Sequence, residues 1–523
     1  MEKNEKVKMA KDTGIVMVIT LLSRIFGFIR DAVIAWSFGA GFISDIFFVA
    51  FRIPNLIRRL FSEGVLSLAF IPVFIEYLST KGKKEAFQLA RSAFLSFFLI
   101  LATVTMAGIF FADVLVTVFA PGFVSSPEKF ALTVSLTRIM LPFIIFIGLS
   151  AICMGILNTF GHFTTPSLSP FIINISMIGA ILIISPQMAE PIKGLAIGVL
   201  LGGILQLFLQ GAFLAKTGIF FREKTVLFHQ GLKRIGILTL PAALGASVFP
   251  INALLDSLIA SFLVEGSISH LYYADRLVQF PLGIFGIAAA TVLLPGLTKE
   301  ASSKNYQALA KTMSMSLKMV LFITVPAMAG MIVLREPIIS LLFERGAFET
   351  QNVRLTAEAL LYYGIGLWAF ASVRIVVSTF YALQDTYTPA RIALVCIVLK
   401  IIMAVVFIRF LDFKALALST SLASVLNLVF LMHALQLKLG HIDLKDTGSS
   451  LIRTITGAVL MGLGVVLCSR VMLPAADNSL LAKSTGLFGC IFVGIILYGI
   501  FSFLFNGREV RILLEAIKRI RGA

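Results

Sequence analysis

VFAPGF at residues 118–123 returns as LLFERGAF at residues 341–348, with Gly122 matching Gly346, and this recurrence decides how the chain is organised. NTFGHFTTP (158–166) returns as YALQDTYTP (381–389), and FFVAFRIPNLIRRLF (47–61) aligns with LYYADRLVQFPLGIF (271–285). The offset stays near 224 residues in all three pairs. Residue by residue the match is weak, but its constant spacing marks an internal duplication of the kind on which many transporter folds are built.

Composition says what has been duplicated. Of 523 residues, 58% are hydrophobic and 14% charged, with a mean hydropathy of +0.98; a soluble domain carries about a quarter charged residues. The chain therefore reads as a polytopic membrane protein. A bilayer core takes ~20 apolar residues per helix, and about fourteen segments qualify: 14–36, 44–78, 88–111, 130–158, 166–186, 193–215, 236–262, 269–297, 311–334, 355–382, 389–409, 414–437, 450–473 and 484–505. The second and eighth are too long for one straight span. Each holds a proline, Pro54 or Pro281, which removes a backbone donor and favours a kink.

The expected fold is all-α, with one six-helix bundle over residues 1–216, a second over 217–440, and two further spans with a basic amphipathic tail over 441–523. Six spans is an even number, so both bundles share one orientation. Parallel repeats of this kind are related by an axis along the membrane normal, with the substrate site between them.

The net charge of +17 does not collect in one patch that would suit nucleic acid. Basic residues crowd alternate connections (3–11, 81–91, 216–234, 299–311, 438–453 and 508–521), whereas the intervening ones hold few, such as Lys129, Lys193, Arg345 and Lys483. By the positive-inside rule both termini are expected in the cytoplasm, in an inner membrane. The charged N-terminus leads into a run that contains Arg24 and no small-residue cleavage site, and reads as a retained first span and not a signal peptide. Cys153, Cys396, Cys468 and Cys490 stand singly in apolar segments without CxxC spacing, as small core residues do.

SRIFGFIRDAVIA (23–35) places two arginines and an aspartate inside the first span, at roughly 2.5–3.5 kcal/mol for each charge at a bilayer centre. Arg24 and Asp31, seven residues apart, share one side of a helix, Arg30 falls on another, and Gly27 permits a bend. In the second span Asp45, Arg52 and Arg59 step by sevens with Asn55 and Ser62 on the same stripe, extended by Arg58 and Glu63. Span eight repeats the theme with Asp275, Arg276 and Gln279. Intramembrane charges face hydrated cavities and mark substrate paths. Arginine offers a planar fork that suits phosphate and keeps its charge, so a cavity holding Arg24, Arg30, Arg52 and Arg276 is expected to bind a diphosphate. The bland alternative is that some of these arginines snorkel to the interface, with Asp31 and Asp275 neutralising their neighbours.

LLSRIFGFIRDAVIAWSFGAG (21–41), SDIFFVAFRIPNLIRRLFSEGVLSLAFIPVF (44–74), VFAPGF, LNTFGHFTTPSLSPFIINISMIG (157–179) and YYADRLVQFPLGIFGIAAATVLLP (272–295) closely resemble the MurJ (MviN) lipid II flippases of the MOP exporter superfamily. The resemblance covers about residues 10 to 440 and reaches the last two spans by placement only. It implies a transporter that moves undecaprenyl-diphosphate-linked disaccharide pentapeptide to the outer leaflet for peptidoglycan synthesis. Lipid II and membrane phospholipid are then the partners, with other cell-wall synthesis proteins left open. The first, second, seventh and eighth spans would border a central cationic cavity, its motif residues matching Arg24, Arg30, Asp31, Asp45, Arg58 and Arg276. The two extra spans would form a groove for the polyprenyl tail. Some relatives hold sodium with an aspartate in span seven and polar partners in span eleven. Asp256 fits the first part, but span eleven offers Lys400. Lys400 is expected to pair with Asp256 in place of the cation, or as a static ion pair that ties two helices together; with no bound cofactor, membrane potential, protons or sodium are left open as the coupling.

Alternating access is the expected cycle, with Gly27, Pro54 and Pro281 as hinges. A multidrug exporter of the same superfamily would need cavity carboxylates for cationic cargo, and a flippase for another polyprenyl-linked glycan would share this chemistry. An enzyme would need a clustered set of catalytic groups, but His162, His229, His270, His433 and His441 are scattered and no HExxH occurs.

Overall fold

The computed structural model describes residues 2–61, 65–216, 229–246, 248–283, 296–440, 445–473 and 479–504. Each segment expected to span the membrane is helical over nearly all of its described residues. Among those residues, nine helices are long and apolar enough to cross a bilayer, or ten if Thr350–Gly364 and Leu367–Ala382, bent by 41°, form one span. The other expected spans are the first, second, seventh and eighth. They hold the helices Glu2–Phe38, Phe42–Phe61 with Val65–Thr80, Gln230–Ala246 with Val248–Ala260, and Ser267–Pro281. Glu63, the Arg59 side chain and the basic tail over 508–521 lie outside the described residues.

By its internal contacts the chain forms two compact units: one is Met1–Ser269 with Arg345–Phe348, the other His270–Glu344 with Glu349–Ala523. In the first unit, Pro191–Ala215 packs on Phe143–Thr159 and on Ser169–Gly179, which in turn packs on Glu2–Phe38. Gly194, Gly198 and Gly202 meet Ser185, Ala180 and Ile173, so a face without side chains lets two spans lie close, as small residues do between membrane helices. Phe70, Phe74, Ile152 and Ile156 are buried in the core of this unit. In contrast, Phe98, Leu99, Ile100 and Met106 of the Gly82–Phe110 helix are exposed, as on a lipid-facing surface.

The glycines of the duplicated motif find their reason within this unit. Gly122 donates its N–H to Ser261 Oγ at 3.0 Å, and a Cβ there would overlap the Ser261 carbonyl. Gly346 has φ +58, and its Cβ would overlap the Trp36 carbonyl, which accepts from Ala347 N at 2.9 Å. Trp36 ends the first span of one repeat and Ser261 ends the first span of the other. Each motif copy therefore seats its glycine on the other copy's opening helix.

In the second unit, Tyr306–Val333 packs on Leu367–Ala382 and on Lys445–Met472, and Lys445–Met472 packs on Leu480–Leu504. The two extra spans are anchored there by polar contacts at both ends. Lys318 pairs with Asp446, Ser314 meets Thr447 at 2.8 Å, and the Tyr498 hydroxyl donates to Phe322 O at 2.8 Å. Lys483 reaches Glu344 at 2.8 Å. Burial would raise the Glu344 carboxyl, but Lys483, Ser340 and Thr350 hold it below the usual range.

Candidate functional site

The first helix runs without a break from Glu2 through Gly27 to Phe38. A Cβ there would lie 3.3 Å from Asn174 Nδ2, and the glycine admits that side chain. Asn174 donates to Ser23 O at 3.1 Å and accepts from Arg30 Nη1 at 2.9 Å. Arg30 is 8% exposed and Asp31 2%; Arg30 Nη2 and Nε donate to Asp31 Oδ1 at 2.6 and 3.1 Å. The seven-residue spacing had grouped Asp31 with Arg24, but its hydrogen-bonded partner is Arg30. Arg24 itself is exposed, with no ion pair or hydrogen bond among the described residues. Six residues apart on one helix, one arginine is neutralised and tied to a neighbouring span, and the other is left with its charge.

The second span distributes its charges in the same way. Asp45, 1% exposed, accepts from Gly266 N at 2.8 Å, Ser269 N at 2.9 Å and Ser269 Oγ at 2.7 Å. Its carboxylate thus sits at the start of the Ser267–Pro281 helix, where free N–H groups and the helix dipole favour an anion. Lys129 approaches it at 3.5 Å with its ammonium over the Phe123 ring, 4.3 Å from the centroid. Positive-inside counting had placed Lys129 in an outer connection; nothing in its local sequence shows that it neutralises a buried aspartate. Arg52 donates to Ser257 Oγ, and Arg58 Nε donates to Asn55 Oδ1 at 2.8 Å. Pro54 lies within its helix, which continues to Phe61.

In the second unit Arg276 is half-buried. Its Nη2 and Nε lie 3.1 and 3.3 Å from the Tyr272 hydroxyl, and its guanidinium 5.1 Å from the Tyr272 ring centroid. Asp275 accepts from Gln279 Nε2 at 3.3 Å. Pro281 lies within its helix, and residues 282–283 continue the helical backbone. Lys400 is 4% exposed, and Asp256, in the first unit, is half-buried.

Chemically, the first unit carries one internally neutralised arginine, a capped aspartate with its own lysine, and further guanidinium groups at Arg24, Arg52 and Arg58. Such a set suits an anion far better than a cation, because each described carboxylate on the first two spans is already engaged.

Comparison with known proteins follows the same direction. A family model described as "Lipid II flippase MurJ" matches residues 34–485. The chain is 38% identical over 463 residues to the "Probable lipid II flippase MurJ" of Vibrio cholerae, covering 87% of this chain and 88% of that one. It is 34% identical to the protein of the same description from Rhizobium tropici, over 96% of each chain, and 35% identical to the "Lipid II flippase MurJ" of Burkholderia cenocepacia, over 80% and 82%. A solved structure described as "Lipid II flippase MurJ, inward closed conformation" superposes with a TM-score of 0.79 at 29% identity, over 95% of this chain and 99% of that one. An inward-facing multidrug resistance MATE transporter of the MOP superfamily gives a TM-score of 0.65 at 16% identity, over 81% and 98%, a likeness of fold alone.

Proposed function

The chain belongs to the MurJ family of lipid II flippases, and from that premise we propose that it carries lipid II from the inner to the outer leaflet of the bacterial cytoplasmic membrane. The diphosphate is bound by arginines in a central cavity bordered by the first, second, seventh and eighth spans, and the cycle runs by alternating access. The observation that carries this reading is the contrast between Arg30, neutralised by Asp31, and Arg24, exposed on the same helix without a described partner. A full positive charge on a span needs water or an anion to offset it, and arginine matches two phosphate oxygens at once.

The residues then divide by task. Arg24, Arg52 and Arg276 engage the diphosphate, while the Arg30–Asp31–Asn174 group fixes the first span against Ser169–Gly179 so that Arg24 is presented in one place. Asp45 with Lys129 holds the start of span eight, and Asn55, Arg58, Arg59, Glu63 and Asp275 complete the polar lining. The polyprenyl tail stays in lipid along the last two spans. Moving net negative charge outward is favoured by a negative-inside potential, at about 2.3 kcal/mol per charge per 100 mV. Lys400 serves with Asp256 as a fixed cation in place of a coupling ion.

The test is binding. Protein in nanodiscs is heated with undecaprenyl diphosphate or with undecaprenyl monophosphate. The reading expects the diphosphate to raise the melting temperature more than the monophosphate in the wild type, and this difference to vanish in Arg24→Ala. Equal shifts with both lipids, or an undiminished difference in Arg24→Ala, would count against an arginine-held diphosphate.

A further inference from the structure

Cys468 and Cys490 carry no sequence signal of association; each is a single cysteine in an apolar segment, and they lie 22 residues apart. The fold brings them face to face. Cys490 Sγ donates to Cys468 Sγ at 3.8 Å, and Cys468 Sγ donates to Met472 Sδ at 3.3 Å, so that three sulfurs form a short chain across the last two spans. Cys490 is fully buried, whereas Cys468 is partly exposed.

Glycines hold the two helices close on either side of this pair. Toward the connection between the spans, a Cβ on Gly489 would lie 2.9 Å from Met472 Sδ, and one on Gly486 would overlap the Met472 carbonyl. Further along, Gly494 faces Val465 at 3.0 Å and Gly464 takes the Leu497 side chain. Backbones clamped at both ends leave the cysteines little room to separate. The sulfur separation of 3.8 Å has then to close to the ~2.05 Å of a disulfide.

We propose that Cys468 and Cys490 are a reversible disulfide site that staples the two extra spans to each other. Their connecting segment, 474–478, falls on the outer side of the membrane in the orientation expected from the basic residues, and that compartment sustains disulfides. The oxidant is a small external disulfide. Cys468, the less buried partner, loses its proton and attacks one sulfur, forming a mixed disulfide and releasing one thiolate, which takes up that proton. Cys490 then gives up its own proton and displaces the second thiolate from Cys468. Two protein thiols and one external disulfide become one protein disulfide and two external thiols. The proposal stands whether or not the two spans hold a polyprenyl tail.

The experiment counts thiols. Full-length protein in nanodiscs is exposed to oxidised glutathione, denatured, and labelled with a polyethylene-glycol maleimide that resolves each labelled cysteine on a gel. The reduced chain labels at all four cysteines. After oxidation the wild type is expected to label at two, Cys153 and Cys396, and to recover four on treatment with dithiothreitol. Cys468→Ser and Cys490→Ser, which each start with three thiols, are expected to form no internal disulfide. Wild type that keeps four labels, that stops at a glutathione adduct on Cys468, or that loses its two labels at other cysteines would overturn the proposal.

Discussion

Arg30 and Asp31 bury a full charge pair, and such pairs are most damaging when half is removed. Asp31→Ala leaves the guanidinium with Asn174 and is expected to lower stability by about 3–5 kcal/mol. Replacing both with apolar residues, Arg30→Met with Asp31→Leu, is expected to lower it less, because no orphan charge remains. Asn174→Ala removes a bridge to Ser23 and Arg30 together and should lie near 1–3 kcal/mol. Thermal unfolding of the three variants in detergent checks the order; an equal or larger loss in the double variant would show that the pair contributes more than mutual neutralisation. The presence of these charges was legible in the sequence and their pairing was not. Helical spacing counts backbone directions, which grouped Arg24 with Asp31. A long guanidinium reaches its immediate neighbour, and its second partner, Asn174, stands 144 residues away. Lys129 escaped for the same reason: loop counting records the side of the membrane on which a lysine lies and says nothing of the aspartate it reaches.

Helices and their connections carry the next level of argument. The glycine of each duplicated motif seats on the other repeat's opening helix, so Gly122→Leu is expected to lower stability by about 1–3 kcal/mol through overpacking. Gly211→Ala, a helical position with nothing within 4 Å, should be neutral or slightly stabilising. If Gly122→Leu melts like the wild type, the close approach at Ser261 is not a constraint. Asp385, in the second copy of the other repeated motif, accepts from Thr388 N and Oγ at 3.0 and 2.7 Å and from Lys438 Nζ at 2.6 Å. Burial alone would raise its pKa, but Lys438 and Thr388 draw it down to about 2. The folded value lies below the unfolded one, so the contribution is complete above about pH 4 and fades as the pH falls toward 2. The melting-temperature gap between wild type and Asp385→Asn should therefore be constant near neutrality and narrow below pH 4; a gap that widens on acidification would contradict this. Hydropathy marked the limits of these helices well because runs of ~20 apolar residues have few other uses. It could not show that Gly27 makes room for Asn174, since a glycine in a span carries no sign of what packs against it.

For the molecule as a whole, the duplication and the hydropathy pattern carried the all-helical membrane fold, and the long motifs carried the family. The charges inside spans one, two and eight mark where a substrate path would tax the fold. The proposed driving force rests on Lys400. With a lysine in span eleven, transport is expected to be insensitive to replacing sodium by potassium at constant membrane potential. Sodium-stimulated transport that is lost in Asp256→Ala would show that the aspartate binds the cation after all. The central claim is that Arg24, Arg52 and Arg276 carry lipid II by its diphosphate. The most direct measurement uses cells depleted of their own lipid II flippase and supplied with the wild type, Arg24→Ala or Arg276→Ala, and reads the lipid II accessible at the outer face of the membrane. The account predicts that the wild type restores access and that both variants, present in the membrane at wild-type levels, restore less than a tenth of it, as expected from losing about 1.4 kcal/mol or more of binding. Variants that restore access as fully as the wild type, or a well-expressed wild type that restores none, would contradict it.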